Sequence, residues 1–392
     1  MARSSASPMK IALVTTFPPS SGDLNEYGFH LASALRSNPS VEAVIYADQT
    51  AAGPELESFD VRRCWRFNSL LTAFYILRRV WKDKPDCVWF NMGFSTFANT
   101  PVAAFLSILT PFLVKCSGYY THITLHTVFE RINLEDAQVR FAGAYRMAGR
   151  AATQALLWSG DITVLLPTFR QLLLDAYRVP ADQVQYRPHG TFVDSRIEAV
   201  VLPDRKQPVV LAFGYWGTYQ RVEILIAAMK EVLREIPDAV LHVAGKDHPS
   251  TPGYLEGLRN QHRENRAIQF LGYVPEEEVP AVFGRARLVV LPYTSAAGTS
   301  GVVHQACQHA LPIVASDIEE FTEMAREEGV AMAIYPRDDS QALAAQMLRL
   351  LQSDETCLRM SLQNLRAASG TPMPGVVDSY LELFRFRIGR QR

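Results

Sequence analysis

"LVVLPYTSAAGTSGVVHQACQHALPIVASD", residues 288–317, starts as a continuous apolar run and turns through a glycine-flanked Gly-Thr-Ser-Gly step into a helix-like segment. It stops at Leu311-Pro312 and resumes as a second short apolar run. Apolar strands joined by a helix are the repeat of a parallel sheet with both faces covered. The glycine step falls where the first strand feeds the helix, and the free N–H groups and dipole of a helix start attract an anion. Gly298, Thr299, Ser300 and Gly301, ahead of a helix beginning near Val302, therefore read either as a phosphate cradle or as a plain Ser/Thr helix cap. No carboxylate occurs in this stretch before Asp317.

The same alternation runs the length of the chain. Strands are predicted at 10–16, 42–47, 87–91, 122–127 and 162–167, and after a proline-bearing polar linker (199–208) at 209–214, 240–245, 268–274, 288–293, 313–316 and 333–335. Helical periods separate them. In "RVEILIAAMKEVLREI" (221–236), Ile224, Leu225, Ala228, Met229, Val232 and Leu233 fall on one face. Two such sets predict two doubly wound α/β domains facing across a cleft, with ligands beyond the carboxyl ends of the strands. The predicted boundaries are 1–204 and 205–371, with a last helix (372–392) packing back on the first domain.

Composition narrows the function. The 392 residues are 48% hydrophobic and 20% charged with a formal net charge of −1. That balance speaks against a nucleic-acid binder. Cys64, Cys87, Cys116, Cys307 and Cys357 are scattered without ligand-like spacing, which suits buried thiols in a reducing compartment. The start "MARSSASPMKIALV" reads as a first strand rather than a leader, so a cytoplasmic protein is expected. Residues 92–114 carry no charge, but Asn99, Pro101 and Pro111 interrupt them. A spanning helix needs about 20 apolar residues, so a buried helix, or an interfacial one, is expected.

In order and spacing, several segments resemble the GT-B glycosyltransferases, in particular the large retaining family that includes sucrose synthase and bacterial lipid mannosyltransferases. They are "KIALVTTFPPSSGDLNEYGFHLASAL", "TLHTVFE" (124–130), "VQYRPHGTFVD" (184–194), "LAFGYWGTYQRVEILIAAM", "LHVAGKD", "IQFLGYVPEEEVPAVFGRARLVVLPY" and the opening stretch. The resemblance implies a GT-B architecture and metal-free sugar transfer from a nucleoside diphosphate donor to an acceptor hydroxyl. It implies no resident cofactor, the nucleotide sugar serving as co-substrate. The family's usual mechanism is a front-face displacement in which the departing phosphate helps deprotonate the acceptor. That mechanism asks for charge stabilisation and positioning more than for a nucleophile.

The resemblance also assigns residues. The family has two glutamates eight positions apart in the opening stretch, one for the donor sugar and one for the ribose; here these positions are Ala297 and Gln305. The amide of Gln305 can still pair with ribose hydroxyls, whereas Ala297 replaces nothing. The family's Arg and Lys on the diphosphate become Tyr215 and Gln220, in the first loop of the second domain with Gly214. Arg221 and Lys246 are the substitute cations for a leaving diphosphate, or else solvated surface charges. His126, at a strand end, matches the histidine that meets the donor sugar, against the alternative of a core histidine. Gly22 would admit the diphosphate to the first loop, where Ser21 replaces a second glycine of the family. His189 and Gly190 would line the cleft or form a turn, and the backbone at Tyr273 and Val274 would meet the base.

Three functions stay open: a retaining glycosyltransferase, a degenerate homologue that binds a nucleotide sugar or a partner without turnover, and a GT-B epimerase or phosphorylase. The acceptor could be a small molecule or lipid-linked. Trp65, Trp81, Trp89 and Trp158, with basic apolar-rich helices at 70–84 and 137–150, suit a peripheral position on the inner face of a membrane or an ordinary aromatic core.

Overall fold

The computed structural model describes residues 7–20, 22, 24–50, 56–132, 134, 141–192, 208–248, 250–296 and 298–391. The first half runs β1 (Met9–Val14), α1 (Asn25–Arg36), β2 (Val41–Asp48), β3 (Val61–Trp65), α2 (Thr72–Asp83), β4 (Cys87–Met92), α3 (Pro101–Ile108), α4 (Thr110–Cys116), β5 (Tyr120–Leu125), α5 (Ala142–Ser159), β6 (Asp161–Val164), α6 (Pro167–Tyr177) and β7 (Val184–Tyr186). The second runs β8 (Val209–Trp216), α7 (Val222–Glu235), β9 (Val240–Asp247), α8 (Tyr254–Gln261), β10 (Ile268–Gly272), α9 (Val279–Arg285), β11 (Leu288–Leu291), α10 (Gly301–Gln308), β12 (Ile313–Ser316), α11 (Glu319–Glu327), β13 (Met332–Tyr335), α12 (Ser340–Leu351) and α13 (Asp354–Gly370). It closes with α14 (Met373–Gln391).

Two sheets form, in the orders β3-β2-β1-β4-β5-β6-β7 and β10-β9-β8-β11-β12-β13. Every ladder in both is parallel. Helices cover both faces of the central strands, whose apolar runs Ile11 to Val14, Val88 to Phe90 and Leu288 to Leu291 are fully buried. Strand order reverses beside β1 in the first sheet and beside β8 in the second. The loops after these strands are the places where such sheets bind ligands.

The chain separates into two compact units. The first holds the described residues of Met1–Arg131, Phe141–His189 and Met373–Arg392; the second holds those of Ile132–Arg140 and Gly190–Pro372. The units divide between His189 and Gly190, and the linker read at 199–208 lies, but for Pro208, outside the described residues. Helix α14 belongs to the first unit. It packs on α1 and stacks Tyr380 and Phe384 against Trp89, with ring centroids 4.6 and 5.2 Å apart.

Two strands escaped the sequence reading, β3 and β7. They are the outer strands of the first sheet, and the half-exposed "VRRCW" and three-residue "VQY" lack an apolar run. The uncharged segment 92–114 is two short helices, α3 and α4, meeting at Leu109 ahead of Pro111. Among the described residues, no helix is long and apolar enough to cross a membrane. In α7 the buried face is Val222, Leu225, Ile226, Ala228, Met229 and Val232; Ile226 replaces the expected Ile224 and Leu233, which are half-buried. Each of these side chains except that of Ala228 contributes about 1.5–3 kcal/mol by leaving water.

Candidate active site

In the second unit, the loop after β8 is built around glycines. Gly245 has φ +113°, and a Cβ there would run into the Gly214 carbonyl on the neighbouring strand. Gly214 in turn leaves room for the side chain of Gln220, which folds back and accepts the Tyr215 N–H at 3.2 Å. Gln220 is 7% exposed. The loop is then stitched to the chain after β11: Arg221 N–H donates to Pro292 O at 3.2 Å, and Thr294 N–H to Tyr219 O at 2.8 Å.

The two candidate cations take different places. Lys246 pairs in register with Tyr215 across β8 and β9, and its Nζ lies 5.1 Å from the Tyr215 ring and 5.5 Å from that of Tyr273. An ammonium over aromatic faces is held electrostatically without being neutralised. Arg221, the N-cap of α7, is exposed and lines a cavity of about 430 Å³ with Glu223, Tyr254, Thr294 and Asp338. Among the described residues lining that cavity are neither Lys246 nor any of Gly298 to Gly301.

Ser300 is the N-cap of α10, extended at φ −97° and ψ 113°, and its side chain makes no cap hydrogen bond. Asp339 and Ser353, by contrast, do cap α12 and α13. The simple Ser/Thr cap expected as the alternative is therefore not what Ser300 forms. Thr299 and Gly298 are half-buried beside it, Gly301 is the first helical residue, and Val302 follows half-buried. Gln305 lies on the same helix, 7% exposed. Val274 is buried, while the Tyr273 ring is 64% exposed. Ala297 and Ser21 lie outside the described residues.

In the first unit, the loop after β1 is held by Asp48, which accepts from Phe17 N–H at 3.2 Å and from the Ser20 hydroxyl. Gly22 follows half-buried, its N–H on Ser20 Oγ at 3.2 Å; a Cβ there would strike Thr16. His126 follows β5 and is 7% exposed. Its Nε2 meets Asn91 Oδ1 at 2.6 Å, and Asn91 Nδ2 donates to Thr15 Oγ1 at 3.0 Å. With Asn91 Oδ1 as the acceptor facing it, Nε2 carries the proton and Nδ1 is left as an acceptor. Burial pushes the imidazole down to about 3, so it is neutral at pH 7.

The structure brings His126 and His189 together through a residue the sequence reading missed. Tyr27, on α1, packs its ring 4.5 Å from His126 and 4.6 Å from His189, and donates its hydroxyl to His189 O at 2.8 Å. The signal was a tyrosine in the first turn after the glycine loop. Gly190 begins the second unit at φ +85°, a turn conformation suited to glycine. Among the described residues there is no cluster of metal-ligating side chains.

The arrangement matches known proteins. Residues 207–353 match the family described as glycosyl transferases group 1. A phosphatidyl-myo-inositol mannosyltransferase of Mycolicibacterium smegmatis is 24% identical over 172 residues, 43% of this chain and 43% of that protein. Over these curated relatives the match spans less than half their length. Two solved structures share the fold across nearly the whole chain. Sucrose-phosphate synthase from Thermosynechococcus elongatus has a TM-score of 0.74 at 17% identity, covering 97% of this chain and 100% of its own. HepE from Anabaena, solved with UDP-glucose, has a TM-score of 0.69 at 14% identity, covering 96% and 99%. Residues 207–353 are thus a glycosyl transferases group 1 domain, in a chain with the GT-B fold of glycosyltransferases.

Proposed function

We propose that the protein moves a sugar, with retention, from a nucleoside diphosphate donor to an acceptor hydroxyl, the nucleotide sugar serving as co-substrate and no metal or resident cofactor taking part. The observation that carries this reading is the start of α10. Ser300 does not spend its side chain on the helix end, so the cap position leaves the amides of Gly301 and Val302 to a phosphate. HepE, of the same fold, was solved with UDP-glucose.

The remaining groups then have chemical work. Lys246 supplies the counter-charge to the departing diphosphate, its ammonium lying over Tyr215 at the family's Arg position. In the first unit, neutral His126 offers Nδ1 to a sugar hydroxyl. Tyr273 and Val274 flank the base, and Gln305 the ribose. Incubation with a panel of nucleotide sugars, reading both binding and nucleotide release, tests the assignment. Gln220 favours a second reading: where the family has a lysine, this side chain is committed to its own loop. A protein that binds the donor without turnover would show binding and no release.

We further read the acceptor as lipid-borne, presented at an anionic membrane. Helices α2 to α5 pack on one another in the first unit, and they leave large apolar side chains in water: Phe74 and Trp81 on α2, Val102 and Leu106 on α3, Met147 and Trp158 on α5. Segments 66–84, 101–116 and 141–159 hold eight Lys and Arg against one acid, Asp83, in a chain of net charge −1. Asp83 is itself paired with Arg79 at 2.8 Å. Apolar side chains among uncompensated cations are the surface of a protein that rests on anionic lipid.

A further inference from the structure

One turn into α10, a buried pair of side chains stands outside the scheme above. His304 is 2% exposed. Its Nδ1 lies 3.0 Å from the Ser300 carbonyl oxygen, and its Nε2 lies 2.8 Å from Oε2 of Glu328, a side chain 4% exposed. A carbonyl oxygen only accepts, so Nδ1 carries a proton and donates it. The Glu328 carboxylate at Nε2 holds the plane of the ring. The Ser300 oxygen also accepts the Val303 N–H at 3.1 Å, so two donors pin it.

That carbonyl shares one planar peptide with the Gly301 N–H, and in a trans peptide the two point in opposite directions. Drawing the oxygen into the first turn of α10 aims the Gly301 N–H out of the helix start, where an anion is met. We propose that His304, held by Glu328, is a positioning residue for the donor: it sets the Ser300–Gly301 peptide so that the Gly301 amide meets a phosphate oxygen. The inference rests on the transferase reading and assigns that site a residue from inside the helix. A role in packing alone would be met by any apolar side chain of similar volume.

The test titrates UDP and GDP into the full chain and follows the tighter of the two. His304→Leu keeps the volume and removes the donor. Roughly tenfold weaker binding is expected, the scale of one hydrogen bond to a charged group. Glu328→Gln can donate to Nε2 and so keeps the Nδ1 proton; it is expected to bind like wild type, whereas Glu328→Leu frees the ring and should bind several-fold more weakly. The ¹⁵N-labelled Gly301 amide should shift downfield with nucleotide in wild type and stay unmoved in His304→Leu. Equal affinity and an equal Gly301 shift in wild type and His304→Leu would overturn the positioning role and leave the transferase reading standing. Should His304→Leu not fold, Glu328→Leu decides: affinity like that of wild type overturns the role. A wild type that binds neither nucleotide overturns the transferase reading itself.

Discussion

Gln220 lies against Gly214, so close that any Cβ on the glycine would overlap its Oε1, and from there it accepts the Tyr215 N–H at 3.2 Å. Lysine, the family's residue at position 220, has no acceptor and cannot make this bond. Gln220→Lys is therefore expected to lower stability by about 0.5–1.5 kcal/mol, the net contribution of one hydrogen bond. Gln220→Glu keeps an acceptor and should cost less. Urea unfolding of the two variants checks this; a Lys variant as stable as wild type would show that the bond contributes nothing.

Lys246 and Arg221 can be told apart by kinetics. With its ammonium over Tyr215, Lys246 is placed to stabilise a leaving diphosphate, whereas Arg221 lines the cavity with Glu223 and Asp338. Lys246→Met should lower kcat by about 10²–10³ with a smaller change in KM, the pattern of a group acting on the transition state. Arg221→Ala should lower it less than roughly tenfold, within the range of a surface charge. The reverse order would return the counter-charge to Arg221.

Acid should destabilise the first unit through its buried histidines. Burial holds His126 down at about 3 and His30 at about 4, against an ordinary 6.5. Above pH 6.5 both are neutral whether folded or not and contribute no slope. Below it, the unfolded chain takes up protons that the fold refuses, so stability falls with pH until the folded values are passed. The slope is at most about 1.4 kcal/mol per pH unit for each histidine. Urea midpoints between pH 7 and 5 should fall less steeply in His126→Asn than in wild type. Identical slopes would mean that His126 titrates normally.

Flotation with vesicles tests the helical layer. Binding is expected to vesicles containing phosphatidylglycerol, to weaken as salt rises from 0.05 to about 0.5 M, and to be absent on neutral phosphatidylcholine. Replacing Phe74 and Trp81 with Ser should weaken it without unfolding the chain, since both side chains are exposed. Equal partition at high and low salt, or none at all, would point to a soluble acceptor.

What the sequence disclosed followed burial. All six strands of the second sheet were legible: β11 and β12 are buried throughout with unbroken apolar runs, and β10, although half-exposed at an edge, still carries Ile268, Phe270 and Leu271. β3 and β7 were not, because an edge strand with Arg62 and Arg63, or one of three residues, carries no such run. At the site, glycines and strand ends were readable as types, and His126 and the 298–301 step were placed by them. Partners across elements were not. Neither Tyr27 between two histidines, nor Lys246 between two tyrosines, nor His304 on Glu328 follows from local spacing, since each depends on which strands or helices become neighbours.

Release of nucleoside diphosphate from a panel of nucleotide sugars, by wild type and by Thr299→Ala/Ser300→Ala, bears on the transferase reading as a whole. Wild type is expected to release nucleotide from at least one donor, slowly without acceptor. The double variant should need tenfold or more donor for the same rate, since each lost hydrogen bond to a phosphate is worth roughly 1.5–3 kcal/mol. Binding without release from any donor, or a double variant with unchanged donor dependence, would contradict sugar transfer at the start of α10.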